Sequence, residues 1–231
     1  IPIIIYYHLI YRVIPSNSPV IKIENSKINA NIKQDNWGIP HVYSQDENHA
    51  YFALGYKIAS ERLFQIDIQR RVANGELSEI LGSKMLPTDK KLRSLRFRRS
   101  ITEKVNNQDH PINKNKKMWN ALKYYFDGVN FFIKNNPLPI EFILLRYSPK
   151  PFSPIDAFAF SGYMGYSFAT SVTKDILFST LLDKLPATLF HDLEKRAKQN
   201  TINFKVLSTI APLTDFDGSN AWVLSGKRTK S

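Results

Sequence analysis

Glu47-Asn48-His49-Ala50-Tyr51-Phe52-Ala53-Leu54-Gly55-Tyr56-Lys57-Ile58-Ala59-Ser60-Glu61-Arg62-Leu63-Phe64-Gln65-Ile66-Asp67-Ile68-Gln69-Arg70-Arg71-Val72 reads as one long helix. Ala50, Ala53, Leu54, Ile58, Leu63 and Ile66 fall at core-facing intervals, and Gly55 is a weak spot that such a helix tolerates. The flanking segments agree with a mostly helical chain. Upstream, Val20 to Val42 alternates enough for one or two strands, with Gly38 and Pro40 punctuating the second. Downstream, Glu79 to Gly82 ends a short helix with Gly82 as its C-cap. Leu92 to Val105 and Lys117 to Lys134 are amphipathic, the latter through Trp119, Leu122, Phe126, Val129 and Phe132. Prolines at 137, 139, 149, 151 and 154 break the next stretch. Pro154 then suits the first turn of a long helix to about Leu185, closed by Pro186, before a shorter charged helix from about Ala187 to Ala197. From Gln199 the periodicity fades, although Val206 to Pro212 has the makings of a strand. The expected class is α+β and mostly helical.

At 231 residues, 43% hydrophobic and 13% aromatic, the chain can bury a substantial core. It has no cysteine, which excludes thiol catalysis, disulfides and cysteine metal sites. The formal charge of +12 invites comparison with nucleic-acid binders. Much of the excess lies in Lys84 to Lys104, with more at Lys114, Lys116 and Lys117. These segments carry no recognised nucleic-acid motif and their aromatics fall where a helix core wants them, so they read as solvated helix faces and no nucleic-acid partner is expected. There is no G-x-S-x-G elbow, no H-E-x-x-H and no phosphate-binding glycine loop. His8, His41, His49, His110 and His191 lack metal-ligand spacing, and His41 reads as a packed residue rather than a base.

One constellation carries chemistry, Gly218-Ser219-Asn220-Ala221-Trp222. A serine hydroxyl needs a base to take its proton. If the bond before Ser219 is cut, the freed α-amine, with an ordinary pKa near 7.7 to 8, is such a base within reach of its own Oγ. The same hydroxyl can make the cut by attacking the carbonyl of Gly218, a residue with no side chain in the way. The alternative is structural: Asp217-Gly218 is a strong turn signal between Val206–Leu213 and Ala221–Leu224.

Asp35-Asn36-Trp37-Gly38-Ile39-Pro40-His41-Val42 resembles the RDxxGIPHI opening of the penicillin acylase (penicillin amidase) family of N-terminal-nucleophile (Ntn) hydrolases. In family order follow Ala50 to Tyr56, Glu61 to Asp67, Arg70 to Glu79, Asp127 to Asn130, Leu138 to Phe142, Pro151 to Asp156 and Gly218 to Trp222. Gln34 departs from the pattern by standing where the family usually has Arg.

The resemblance implies the helical α-chain region of a precursor whose αββα sandwich would be completed beyond Ser231. On that reading residues 1–19 are a candidate trimmed signal or anchor segment, 20–198 the α-chain-like region, 199–218 a candidate spacer peptide and 219–231 the start of the β-chain. It implies Ser219 as catalytic nucleophile, self-cleavage between Gly218 and Ser219, and an α/β heterodimer acting on a small-molecule acyl amide such as a penicillin, an acyl-homoserine lactone or a lipopeptide. The oxyanion-hole donors would lie after Ser231. Met164, Ser167 and Phe168 fall at the acyl-pocket positions, Ser167 where a gate Arg is frequent; core packing is the alternative for Met164 and Phe168. No cofactor is needed for the chemistry. A structural calcium site known among relatives is not expected, because Lys174 occupies the position of a ligating Glu and neighbouring Asp175 is out of register. The apolar Ile1 to Ile14 is too short to span a bilayer but suits the trimmed end of a signal peptide or membrane anchor, and the family favours export to the periplasm. A reading from another class remains beside these, a non-catalytic helical binding module or decayed relative with a basic surface.

Overall fold

The computed structural model describes residues 20–22 and 28–186, with 188, 189, 191, 192 and 195 beyond them. Three short antiparallel strands, β1 (Val20–Lys22), β2 (Asn31–Gln34) and β3 (Pro40–Tyr43), form a sheet in that order, with Ile32 opposite Val42. The β2–β3 hairpin is held by Asp35, whose Oδ1 accepts from the backbone N–H groups of Trp37 and Ile39, both at 2.9 Å. Asp35 Oδ2 lies 3.1 Å from His41 Nε2. The hydrogen bond from Ile39, then that to His41, hold the Asp35 carboxyl below its usual range. His41 is therefore an exposed partner of Asp35 and not the packed residue expected. Gln34 makes a neutral bond, Nε2 donating to Gly38 O at 2.9 Å.

The long helix α1 runs Glu47–Asn74. Asp46 caps its start by accepting from Asn48 N at 2.7 Å. Gly75 ends it at φ 64°, its N–H and that of Glu76 closing on Val72 O and Arg71 O. The helix is interrupted at Arg62, two residues after Ser60, which donates its hydroxyl to Lys57 O at 2.7 Å, a back-bond of the kind that bends helices. Next come α2 (Ser78–Leu81), a 3₁₀ turn at Ser83–Met85, α3 (Leu86–Ser94) and α4 (Phe97–Asn106). The single helix expected from Leu92 to Val105 is thus two, broken where Arg96 takes φ 57°. In a continuous helix Leu92 and Phe97 would point about 140° apart. The break lets both turn inward, Leu92 into the core and Phe97 against Tyr163 and Tyr166.

A 3₁₀ turn at Pro111–Lys114 leads to α5 (Lys116–Asn135), then α6 (Ile140–Leu144), which the prolines of that stretch had obscured, and α7 (Pro154–Lys184). Residues 188, 189, 191, 192 and 195 are helical, within the short helix expected there. Two compact units divide between Phe168 and Ala169.

The core of the first unit is α1 against α5. Ala59 and Leu63 pack with Phe126, Val129, Phe132, Phe142 and Phe152, while Phe52 and Ala53 meet Ala30 and Ile32 of the sheet region. Gly55 is no tolerated weak spot here. A Cβ on it would lie 1.9 Å from Tyr125 O, and one on Gly128 would lie 2.0 Å from Phe52 O, so each helix presses its backbone against the other's missing side chain. Leu54, expected inward, is instead 38% exposed.

Candidate active site

Met164, Ser167 and Phe168 all lie on α7, and spacings of three and four residues gather them on one side of it. Met164 and Ser167 are half-buried and Phe168 is 50% exposed. Gly218 and Ser219 lie outside the described residues, as do the spacer stretch Gln199 to Asp217 and the apolar Ile1 to Ile14. Lys174 and Asp175 belong to the later part of α7, in the second unit. Among the described residues no group of His, Asp or Glu is arranged to hold a metal ion.

The start of α7 is anchored by side chains to which the sequence assigned no role, although Asn130, Ser153 and Asp156 lie within the resembling motifs. Asp156 Oδ2 accepts from Ser153 N at 2.7 Å and from Ser153 Oγ at 2.9 Å, the reciprocal half of a capping box. Its Oδ1 takes a hydrogen bond from Arg98 Nη1 on α4. Asn130 on α5 brackets Phe152 from both sides, donating through Nδ2 to Phe152 O at 2.9 Å and accepting from Phe152 N at 2.8 Å. The available signal was Ser153-x-x-Asp156 around Pro154, a helix-start signature.

Behind this lies a buried ionic cluster. Asp67, fully buried on α1, accepts from Arg70 Nη2, from Arg71 Nε at 2.9 Å and from the Tyr147 hydroxyl at 2.9 Å. Arg70 Nη1 extends to Lys150 O at 2.8 Å and Pro151 O at 3.2 Å, and its guanidinium covers the Phe152 ring at 3.8 Å. Arg71 Nη1 reaches Glu79 Oε2 at 3.1 Å and Glu76 O at 3.3 Å. Burial works against the Arg71 charge, but Asp67 and Glu79 outweigh it and raise its pKa. Burial first, and then the Asp67 carboxylate, push the Tyr147 phenol far up, so it donates as a neutral hydroxyl across the physiological range. Desolvated charges of this kind are maintained only when paired and hydrogen-bonded. The cluster ties the last third of α1 to the loop that delivers Pro154, and so fixes where α7 begins.

Along α7 a cleft of about 530 Å³ opens, lined by Tyr51, Lys117, Met118, Leu122, Phe158 and Ser161 among others. A step of three residues on the helix leads from Ser161 to Met164 and seven lead to Phe168, so these two of the expected acyl-pocket residues continue the cleft's own side of α7. An apolar trough with a few polar groups suits an acyl chain or an aromatic ring.

The penicillin amidase family model matches residues 29–231. The chain is 34% identical over 153 residues to penicillin acylase 2 proenzyme of a Pseudomonas species, an alignment covering 66% of this chain and 19% of that protein. It is 31% identical over 161 residues to penicillin G acylase of Escherichia coli, with 65% and 18% covered. The acyl-homoserine lactone acylase QuiP of Pseudomonas syringae pv. tomato is 27% identical over 165 residues, with 69% and 19% covered. The chain thus spans about a fifth of the length of these curated relatives. In structure it is similar to the thermostable penicillin G acylase from Alcaligenes faecalis, with TM-score 0.53 and 19% identity over 86% of this chain and 98% of that one.

Proposed function

Because this chain belongs to the penicillin amidase family, we propose that it is the amino-terminal part of an amide-hydrolase precursor in which Ser219 is both the self-cleaving residue and the catalytic nucleophile. The observation that carries this reading is that the family match extends from residue 29 past Gly218-Ser219-Asn220-Ala221-Trp222 to residue 231. The word proenzyme in the name of the Pseudomonas relative supports a processed precursor.

In maturation, Ser219 Oγ attacks the Gly218 carbonyl carbon. The Gly218–Ser219 C–N bond breaks as the acyl group passes to oxygen, and water hydrolyses the resulting ester. Gly218 is left with a carboxylate and Ser219 with a free α-amine. In turnover, that amine accepts the Oγ proton as Oγ attacks the substrate amide carbon. It then passes the proton to the departing amine nitrogen as the C–N bond breaks, and water releases the acyl group as a carboxylic acid. Oxyanion donors at the tetrahedral stages matter because losing one typically costs a hundredfold or more in rate.

Met164 and Phe168 offer the acyl group a deformable thioether and a flat ring. The expected substrates are linear acyl amides of the penicillin, acyl-homoserine lactone or lipopeptide kind. The processed product is an α/β heterodimer in an Ntn αββα sandwich, exported to the periplasm, with no cofactor required and no calcium bound through Lys174.

Intact mass spectrometry of the full-length gene product beside a Ser219→Ala version tests the proposal. Two fragments divided at Gly218–Ser219 in the parent, and a single uncut chain in the variant, are expected. A folded parent that remains uncut would sink it.

A further inference from the structure

The basic stretch from Lys84 to Lys104 has no part in the chemistry above. It holds eight basic residues against two acidic ones, and both acids are engaged within the stretch's own surroundings, one buried and one paired at the surface. Asp89 is buried, accepting from Leu77 N at 2.9 Å and Ser78 N at 2.7 Å. Glu103 is held by Arg99 at 2.9 Å and Arg96 at 3.5 Å. Lys84, Lys90, Lys91 and Lys104 are exposed and have no ion-pair partner among the described residues. Lys90 stands one helical turn from Leu86, itself 44% exposed. Beside them a cleft of about 560 Å³ is lined by Arg93, Arg96, Arg98 and Arg99 together with Glu76 and Glu103, four guanidiniums against two carboxylates, with Arg96 and Arg99 on Glu103 and Arg98 on Asp156. Arg93 commits only its Nε, to Gly75 O at 2.8 Å, so its two Nη groups are left for a bidentate oxyanion contact.

We infer that this α3–α4 face docks on an anionic phospholipid surface, the free lysines drawn to the headgroup layer and the arginine cleft receiving a headgroup phosphodiester. The inference rests on charge and geometry and is independent of Ser219. A lipid surface fits better than a nucleic acid because Phe97, the aromatic ring of the stretch, is turned inward on Tyr163 and Tyr166, leaving no stacking platform. The exposed apolar residue is an aliphatic Leu86 beside lysines, as an interfacial face requires.

Each lysine near an anionic surface strengthens partitioning about 5-fold. The test is co-sedimentation of the full-length gene product with phosphatidylglycerol vesicles and with phosphatidylcholine vesicles, at low and high salt. A Lys90→Glu/Lys91→Glu variant is compared with a Lys116→Glu/Lys134→Glu control of equal net charge, and a Lys90→Gln/Lys91→Gln variant gives the same reading with less electrostatic disturbance of the fold. The inference expects salt-sensitive binding to phosphatidylglycerol, weakened at least about 25-fold by the Lys90/Lys91 changes and much less by the control. Equal loss in the control would overturn it, since net charge alone would then be responsible. Equal binding to phosphatidylcholine, displacement by millimolar inorganic phosphate, or preferential capture by an oligonucleotide would overturn it as well.

Discussion

Gly128→Ala tests the packing on which the fold of the first unit depends. The new Cβ would lie 2.0 Å from Phe52 O and 2.9 Å from Tyr56 N, both backbone atoms of α1. An ordinary carbon–oxygen contact is more than 1 Å longer, and backbone has no rotamer with which to retreat. The helices must separate, out of a spacing that is normally 8–10 Å, and the contacts of Phe52, Ala59, Leu63, Val129 and Phe132 loosen together. Overpacking a core costs about 1–3 kcal/mol, and forced separation of a whole interface belongs at the upper end or beyond. Alanine's better helix propensity returns about 1 kcal/mol. A net loss of about 2–3 kcal/mol is expected, read as a lower urea midpoint by circular dichroism. Gly55→Ala, whose Cβ would meet Tyr125 O at 1.9 Å, should cost a similar amount. The double variant should cost clearly less than the sum, because one displacement makes room for both methyls. An unchanged or raised midpoint for Gly128→Ala would refute the close-approach argument, and strict additivity would refute the shared displacement.

Asp67→Asn leaves Arg70 and Arg71 buried without their carboxylate and should destabilise by about 3–5 kcal/mol in urea titration. Tyr147→Phe should cost about 1–2 kcal/mol at neutral pH, through the lost hydrogen bond to Asp67. The Tyr147 phenol has a raised folded pKa, so its contribution is complete below the unfolded value near 10 and falls away as pH climbs above it. The variant should therefore show a shallower alkaline decline in melting temperature; some decline remains, because burial also raises Tyr125 and Tyr163. Asn130→Ala removes two hydrogen bonds from Phe152 and should lower stability by about 2–3 kcal/mol, with faster amide hydrogen exchange concentrated at the start of α7.

The helices were legible wherever a stripe of apolar residues met one neighbour. On α5, Phe126, Val129 and Phe132 are buried at the positions their spacing predicts. On α1 the same rule misplaces Leu54 and takes no account of Lys57, Asp67, Arg70 and Arg71, which are all buried. Lys57 pairs one turn on with Glu61, but Asp67, Arg70 and Arg71 go inward onto partners remote in sequence, such as Tyr147 and Lys150, which no periodicity displays. Arg96 shows a second limit, since its left-handed turn is set by two hydrophobic residues seeking different neighbours rather than by a glycine. Gly55 shows a third: a glycine that looks like a helix defect in one strand of sequence becomes a requirement once Gly128 approaches from another.

For the candidate site, the lesson is directional. The family resemblance proposed Met164, Ser167 and Phe168 of α7 for the acyl pocket, whereas Asp67, Asn130, Ser153 and Asp156, which lie within the resembling motifs without an assigned role, place α7 itself. Changing these supports should shift acyl-group preference through the position of Met164 and Phe168 without touching the proposed nucleophile. In the full-length gene product, then, Asn130→Ala should alter KM across a series of acyl chain lengths more than it alters the rate of self-cleavage at Ser219. Equal losses in both would mean that Asn130 supports the whole fold and not the seat of α7 in particular.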